Sequence, residues 1–107
     1  MADNVRVVKP QGRLDSNTSP AFEKQLLSCI EGGSRRVLLD FSELQYVSSA
    51  GLRSVLLGSK RMRAAGGSLA LCSLNAQIAE VFQISGFDTI LDIHASAEAA
   101  MKHLLAS

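Results

Sequence analysis

The chain has 107 residues, 47% of them hydrophobic and 20% charged, and 11 basic side chains nearly cancel 10 acidic ones to leave a formal net charge of +1. That balance, with no Lys/Arg-rich run, gives no field to gather nucleic acid, and apolar stretches of a few residues fall far short of the roughly 20 needed to cross a bilayer. The opening Met1-Ala2-Asp3-Asn4 is polar and acidic, without the basic and apolar regions of a secretory signal, so a cytoplasmic protein of one domain spanning 1–107 is expected.

The first strand signal is Val5-Arg6-Val7-Val8-Lys9, after which Pro10, Gly12 and Asp15 bend or end the extended segment. A helix follows, with Ser19 able to cap it, Pro20 fitting its first helical position, and Phe22, Leu26, Leu27 and Ile30 at helical spacing, until Gly32-Gly33 stops it. Arg35 to Phe41 reads as a strand whose Val37-Leu38-Leu39 run predicts burial on both faces. A loop from Ser42 to Ser48 leads into a second helix, with Leu52, Val55, Leu56 and Ser59 along one stripe and Arg53, Lys60 and Arg63 outward. Gly66-Gly67 ends that helix, and Ser68 to Cys72 is the third strand. Asn75 caps a helix through Val81 and Phe82, Ser85-Gly86 breaks it, and Thr89 to Ile93 predicts a fourth strand. The tail from Ser96 to Leu105 is helical, with Ala97, Ala100, Met101 and Leu104 on one side. The alternation of strand and helix predicts an α/β layered domain, with no linker or repeat dividing it. Cys29 and Cys72 sit among apolar neighbours, with no second Cys or His at ligand spacing, so reduced core thiols are expected and neither a metal nor a cofactor.

The chemistry is carried by Leu39-Asp40-Phe41-Ser42-Glu43-Leu44-Gln45-Tyr46-Val47-Ser48-Ser49-Ala50-Gly51-Leu52-Arg53. A buried strand runs out into a loop, and the loop feeds a helix whose first residues are small and hydroxylated. Ser48 or Ser49 then stands at the helix N-terminus, where free backbone N–H groups and the helix dipole favour a negative group. Ala50 and Gly51 leave room for another protein to approach. No catalytic set accompanies these serines. A serine nucleophile needs a base and oxyanion donors, while His94 and His103 lie far along the chain and read as surface or satisfied histidines. The segment is not a Gly-x-Ser-x-Gly elbow, and no phosphate-cradling Gly-x-x-x-x-Gly-Lys loop occurs.

The same segment resembles the signature of the anti-sigma factor antagonist family, the STAS domains. Asp40 matches the Asp at the strand end, Ser49 falls on the phosphoacceptor position, and Gly51-Leu52 match the pair that opens the helix. Gln11-Gly12-Arg13-Leu14-Asp15 resembles the family's Gly-x-Leu-Asp turn, and Gly66-Gly67 and Ile84-Ser85-Gly86-Phe87 also stand in family-like positions. Ser48 occupies a place where the family often carries Asp, which makes it an alternative acceptor. The chain opens near the family's second strand, so a shortened or absent first strand is expected.

The resemblance implies a STAS-type domain with a mixed sheet of about four to five strands and about four helices mainly on one side. It implies a non-enzyme whose unphosphorylated form binds an ATP-dependent serine kinase that doubles as an anti-sigma factor, freeing the sigma factor or other client. Phosphorylation of Ser49 ends that binding, and a metal-dependent serine phosphatase restores it. Asp15, Ser48, Ser49, Ala50, Gly51, Leu52 and Arg53 are the implied partner surface, and Asp40 the organiser of the loop. The second reading is an unphosphorylated STAS adaptor subunit of a lipid transporter or signalling scaffold.

Overall fold

The structure, a computed structural model, describes residues 5–106. In chain order its elements are β1 (Val5–Val8), β2 (Gly12–Leu14), α1 (Ser19–Glu31), β3 (Arg36–Asp40), β4 (Leu44–Val47), α2 (Ser49–Ala64), β5 (Ser68–Cys72), α3 (Ala76–Ser85), a 3-10 turn (Phe87–Thr89), β6 (Asp92–His94) and α4 (Ala97–Ala106). The α/β class and the four helices are as expected. The sheet resolves further than the expected four to five mixed strands. A four-stranded sheet runs β1-β3-β5-β6, beside a separate β2-β4 ladder, and all four pairings are parallel. Parallel neighbours cannot be joined by a tight hairpin, so the chain crosses over through a helix between each pair in the larger sheet.

The apolar run of β3 explains why both faces of that sheet are covered. Val37 and Leu39 turn into a core shared by Phe22 and Leu26 of α1, Val55 and Met62 of α2, and Ile78 and Phe82 of α3. Leu38 points the other way, joining Ala70, Cys72, Ala100 and Leu104 beneath α4. Three helices thus share one face and α4 covers the other, which is the mainly one-sided packing expected. Cys29 and Cys72 are both buried free thiols. On α2, Leu52, Val55 and Ser59 of the expected stripe are buried and Leu56 is half-buried, while Arg53, Lys60 and Arg63 are exposed.

Four local expectations are corrected. Gly12–Leu14 and Leu44–Val47 are strands, where a bend and a loop were expected; each has the other as its ladder partner. Thr18, not Ser19, stands at the cap position of α1, and it is the Asp15 carbonyl that accepts from the Thr18 and Ser19 amides, at 3.2 and 2.8 Å. The segment expected as a strand at Thr89–Ile93 begins in the 3-10 turn, because the Ile90 and Leu91 amides return to the Phe87 carbonyl. The strand itself starts at Asp92, leaving Ile90 exposed. The expectation of a shortened first strand falls on residues before Val5, outside those described.

Leu38 is the strand residue that seats α4. Leu38→Ala is expected to lower the free energy of unfolding by about 2–5 kcal/mol, the usual cost of emptying a buried leucine site, read by equilibrium urea denaturation.

Candidate functional site

The site begins with one backbone carbonyl. The Ser48 amide donates to the Leu14 carbonyl at 2.9 Å, continuing the β2-β4 ladder into the start of α2. Gly51 then passes directly over that carbonyl. A Cβ at Gly51 would lie 3.0 Å from Val47 Cγ1 and 2.4 Å from the Leu14 oxygen, the latter closer than a side chain tolerates. From the other side, Asn75 caps α3 by accepting from the Ile78 amide at 2.8 Å and donates to the Leu44 carbonyl at 3.3 Å. Ser54, buried on the inner face of α2, donates to Glu23 of α1 at 2.5 Å. The first turn of α2 is therefore held by β2 and β4 beneath it and by α1 beside it.

Within that turn the two serines take different parts. Ser48 is the N-cap, with extended backbone (φ −91°, ψ 178°), and its Oγ accepts from the Gly51 amide at 3.4 Å. Ser49 is the first helical residue; it is exposed, and its hydroxyl has no hydrogen-bond partner among the described residues. It stands at the rim of a groove of about 330 Å³ lined by Ser49, Leu52, Arg53, Leu56, Ser85 and Phe87. The floor is apolar, the one charged side chain in the lining is cationic, and no carboxylate or imidazole is among these residues. Ile84, beside Ser85 in the chain, is 80% exposed.

Asp15 follows Leu14 directly, in the turn between β2 and α1. Its Oδ1 accepts from the Asn17 and Thr18 amides at 3.0 and 3.2 Å, and its Oδ2 meets Arg13 Nε at 3.3 Å. The Asn17 amide foremost, with Arg13 and Thr18 adding to it against an opposing effect of desolvation, holds this carboxyl below its ordinary pKa. Arg13 also lies over the exposed Tyr46 ring, 4.4 Å from its centroid. Asp40 ends β3 and accepts from the Ser42 amide at 2.9 Å, at the start of the connection to β4. Ser48 to Arg53 are thus the cap and opening of α2, joined to Asp15 through the Leu14 carbonyl, with Ser49 and Arg53 exposed but Gly51 and Leu52 buried where open surface was expected, while Asp40 stays on the central sheet.

Sequence reasoning missed the far wall of the groove. Phe87 follows α3 and is 38 positions from Ser49, and only the family-like Ile84-Ser85-Gly86-Phe87 gave a signal there. The histidines are apart from this groove. His103 meets Asp92 at 3.3 Å and its ring lies 5.0 Å from that of His94, whose Nε2 is buried without a partner, so His94 is not the satisfied or surface residue expected.

A family model described as the STAS domain matches residues 1–100. The chain is 43% identical over 98 residues to BtrV of Bordetella bronchiseptica, described as an anti-sigma factor antagonist, covering 92% of this chain and 84% of that one. A Thermotoga maritima protein described in the same words has the same fold, with a TM-score of 0.91 at 23% identity over 95% of this chain and 88% of the other. The Bacillus cell-fate determinant SpoIIAA, solved in its phosphorylated form, shares the fold at a TM-score of 0.72 and 22% identity, over 94% and 91% of the two chains.

Gly51→Ala drives a methyl into backbone and is expected to destabilise the fold by about 1–3 kcal/mol, as overpacked sites do, measured by chemical denaturation. Asp15 makes the acid limb of stability testable. A carboxyl whose folded pKa is lowered stabilises the fold above its ordinary pKa, and that contribution disappears as pH falls through the lowered value. Asp15→Asn should therefore melt below wild type at neutral pH, and the two melting curves should converge in acid.

Proposed function

The chain belongs to the STAS-domain family, and from that premise we propose that it is an anti-sigma factor antagonist switched by phosphorylation of Ser49. The observation that carries this reading is the division of work between the serines. Ser48 caps the helix, which leaves the Ser49 hydroxyl exposed, unpartnered and beside an apolar groove. The relatives' description as anti-sigma factor antagonists, and the phosphorylated state of SpoIIAA, support it.

In this reading the unmodified domain presents the first turn of α2 and its groove, with Asp15 nearby, to an ATP-dependent serine kinase that acts as an anti-sigma factor. Binding displaces the sigma factor or other client. The kinase then directs Ser49 Oγ onto the γ-phosphorus of its ATP. The Oγ–P bond forms, the bond to the ADP oxygen breaks, and the hydroxyl proton passes to a base of the kinase. Hydrolysis of the phosphoester by a metal-dependent serine phosphatase resets the cycle.

The physics gives the cycle its direction. A phosphate brings about −1.5 to −2 charges at neutral pH. At the first helical residue the free amides and the dipole accept that charge, so the domain stays folded. In an interface formed around a hydroxyl the same group must be desolvated, at a cost of several kcal/mol, when about 1.4 kcal/mol already means tenfold in affinity. The switch therefore acts between molecules.

Ser49→Asp should melt within a few degrees of wild type and lose more than tenfold in kinase affinity, whereas Ser49→Ala should bind and not be released by ATP. Calorimetric titration and thermal denaturation read both. Intact-mass analysis after incubation with kinase and ATP should find one phosphoryl group on wild type and on Ser48→Ala, and none on Ser49→Ala. A wild-type chain that binds but gains no phosphate would be the adaptor instead.

A further inference from the structure

Arg53 stands four residues after Ser49 on α2 and lines the same groove. Residues at that spacing are neighbours on a helix, about 5–6 Å apart at Cβ. The direction matters as well as the distance. Helical side chains lean toward the N-terminus, so an arginine at the later position extends back over the earlier one. Arg53 is exposed, and among the described residues its guanidinium makes no ion pair or hydrogen bond. Arg13, by contrast, is engaged by Asp15 and by the Tyr46 ring. No carboxylate lines the groove to compete for Arg53.

We propose that Arg53 is the internal receptor for the phosphate on Ser49. The inference rests on the reading of Ser49 as a phosphoacceptor and adds what the modified state does. A guanidinium meets phosphate oxygens through two parallel N–H donors, a geometry that lysine cannot reproduce. In the modified chain Arg53 folds back along the first turn onto the phosphate, and its stem lies over the groove between Leu52 and Phe87. In the unmodified chain the same guanidinium is free for an acidic group on a partner. Phosphorylation thus removes a cation from the interface and covers apolar surface, in addition to placing an anion there. The off state is then more than the sum of a clash and a repulsion.

The test installs phosphoserine at position 49 by codon reassignment, so no kinase is needed. Failure of Ser49 to be a kinase substrate would show in the mass experiment above and leave this measurement decidable. Phosphorus NMR follows the second ionisation of the phosphate, ordinarily near pH 6, in the phosphorylated wild type and in its Arg53→Gln, Arg53→Lys and Arg63→Gln variants. A nearby guanidinium favours the dianion, so the pKa should be higher in Arg53→Gln by roughly half a unit, the size expected of an exposed pair. Arg53→Lys should recover only part of the difference, Arg63→Gln should match wild type, and molar salt should erase the gap. Equal values in wild type and Arg53→Gln would overturn the proposal. An equal rise in Arg63→Gln would overturn it too, because the effect would then be general charge and not a receptor.

Discussion

The contact on which the site depends is between a strand carbonyl and a helix without a side chain. The Leu14 oxygen receives the Ser48 amide and lies under Gly51 at a distance no Cβ would allow. Helix α2 can begin where it does only because β2 is there to receive it, and β2 is a strand only because β4 pairs with it. Two separated stretches of the family signature, Gly12-Arg13-Leu14-Asp15 and Ser48-Ser49-Ala50-Gly51-Leu52, are therefore the two sides of one contact. Asp15 adds to it by closing the turn after Leu14 with its own carboxylate and carbonyl.

A helix start anchored in this way is a platform on which chemistry at the surface need not disturb the interior. Ser48 satisfies the Gly51 amide and Ser54 ties α2 to α1. Ser49 is left exposed, its hydroxyl without a hydrogen-bond partner among the described residues. The second face of the sheet is separate again. There Leu38, Ala70 and Cys72 meet Ala100 and Leu104, and Arg36 Nε donates to the Leu104 carbonyl at 2.8 Å.

Charge gives such a switch its contrast. The chain carries a formal +1 in total, so the proposed phosphate, of about two negative charges, would change the sign of the whole molecule as well as of one spot. Near-neutrality keeps the resting surface from attracting charged partners at random. The groove itself holds one hydroxyl, one guanidinium without a partner among the described residues, and apolar surface from Leu52, Leu56 and Phe87.

Much of this was legible in the residues. The Val37-Leu38-Leu39 run predicts a strand buried on both faces because apolar side chains on alternate sides must each find cover, and the helices are legible from apolar stripes bounded by Gly, Asn and Pro. Asn75 at a cap, Arg53 on an outer face and Ser49 within a small-residue turn are likewise local properties of the chain. The short strands Gly12–Leu14 and Leu44–Val47 are not, since they hold too few alternations to show a period and pair in the sheet only with one another. Thr89-Ile90-Leu91 has the composition of a strand and yet enters a turn, because the Phe87 carbonyl lies within reach of the amides that follow it. The tertiary structure also decided which serine caps and which is free. Ser48 and Ser49 are chemically identical neighbours, and what separates them is the Leu14 carbonyl, which sets where the helix starts. The groove beside Ser49 was out of reach for the same reason: its far wall comes from Ser85 and Phe87, and only the packing of α3 against β4 brings them to that edge.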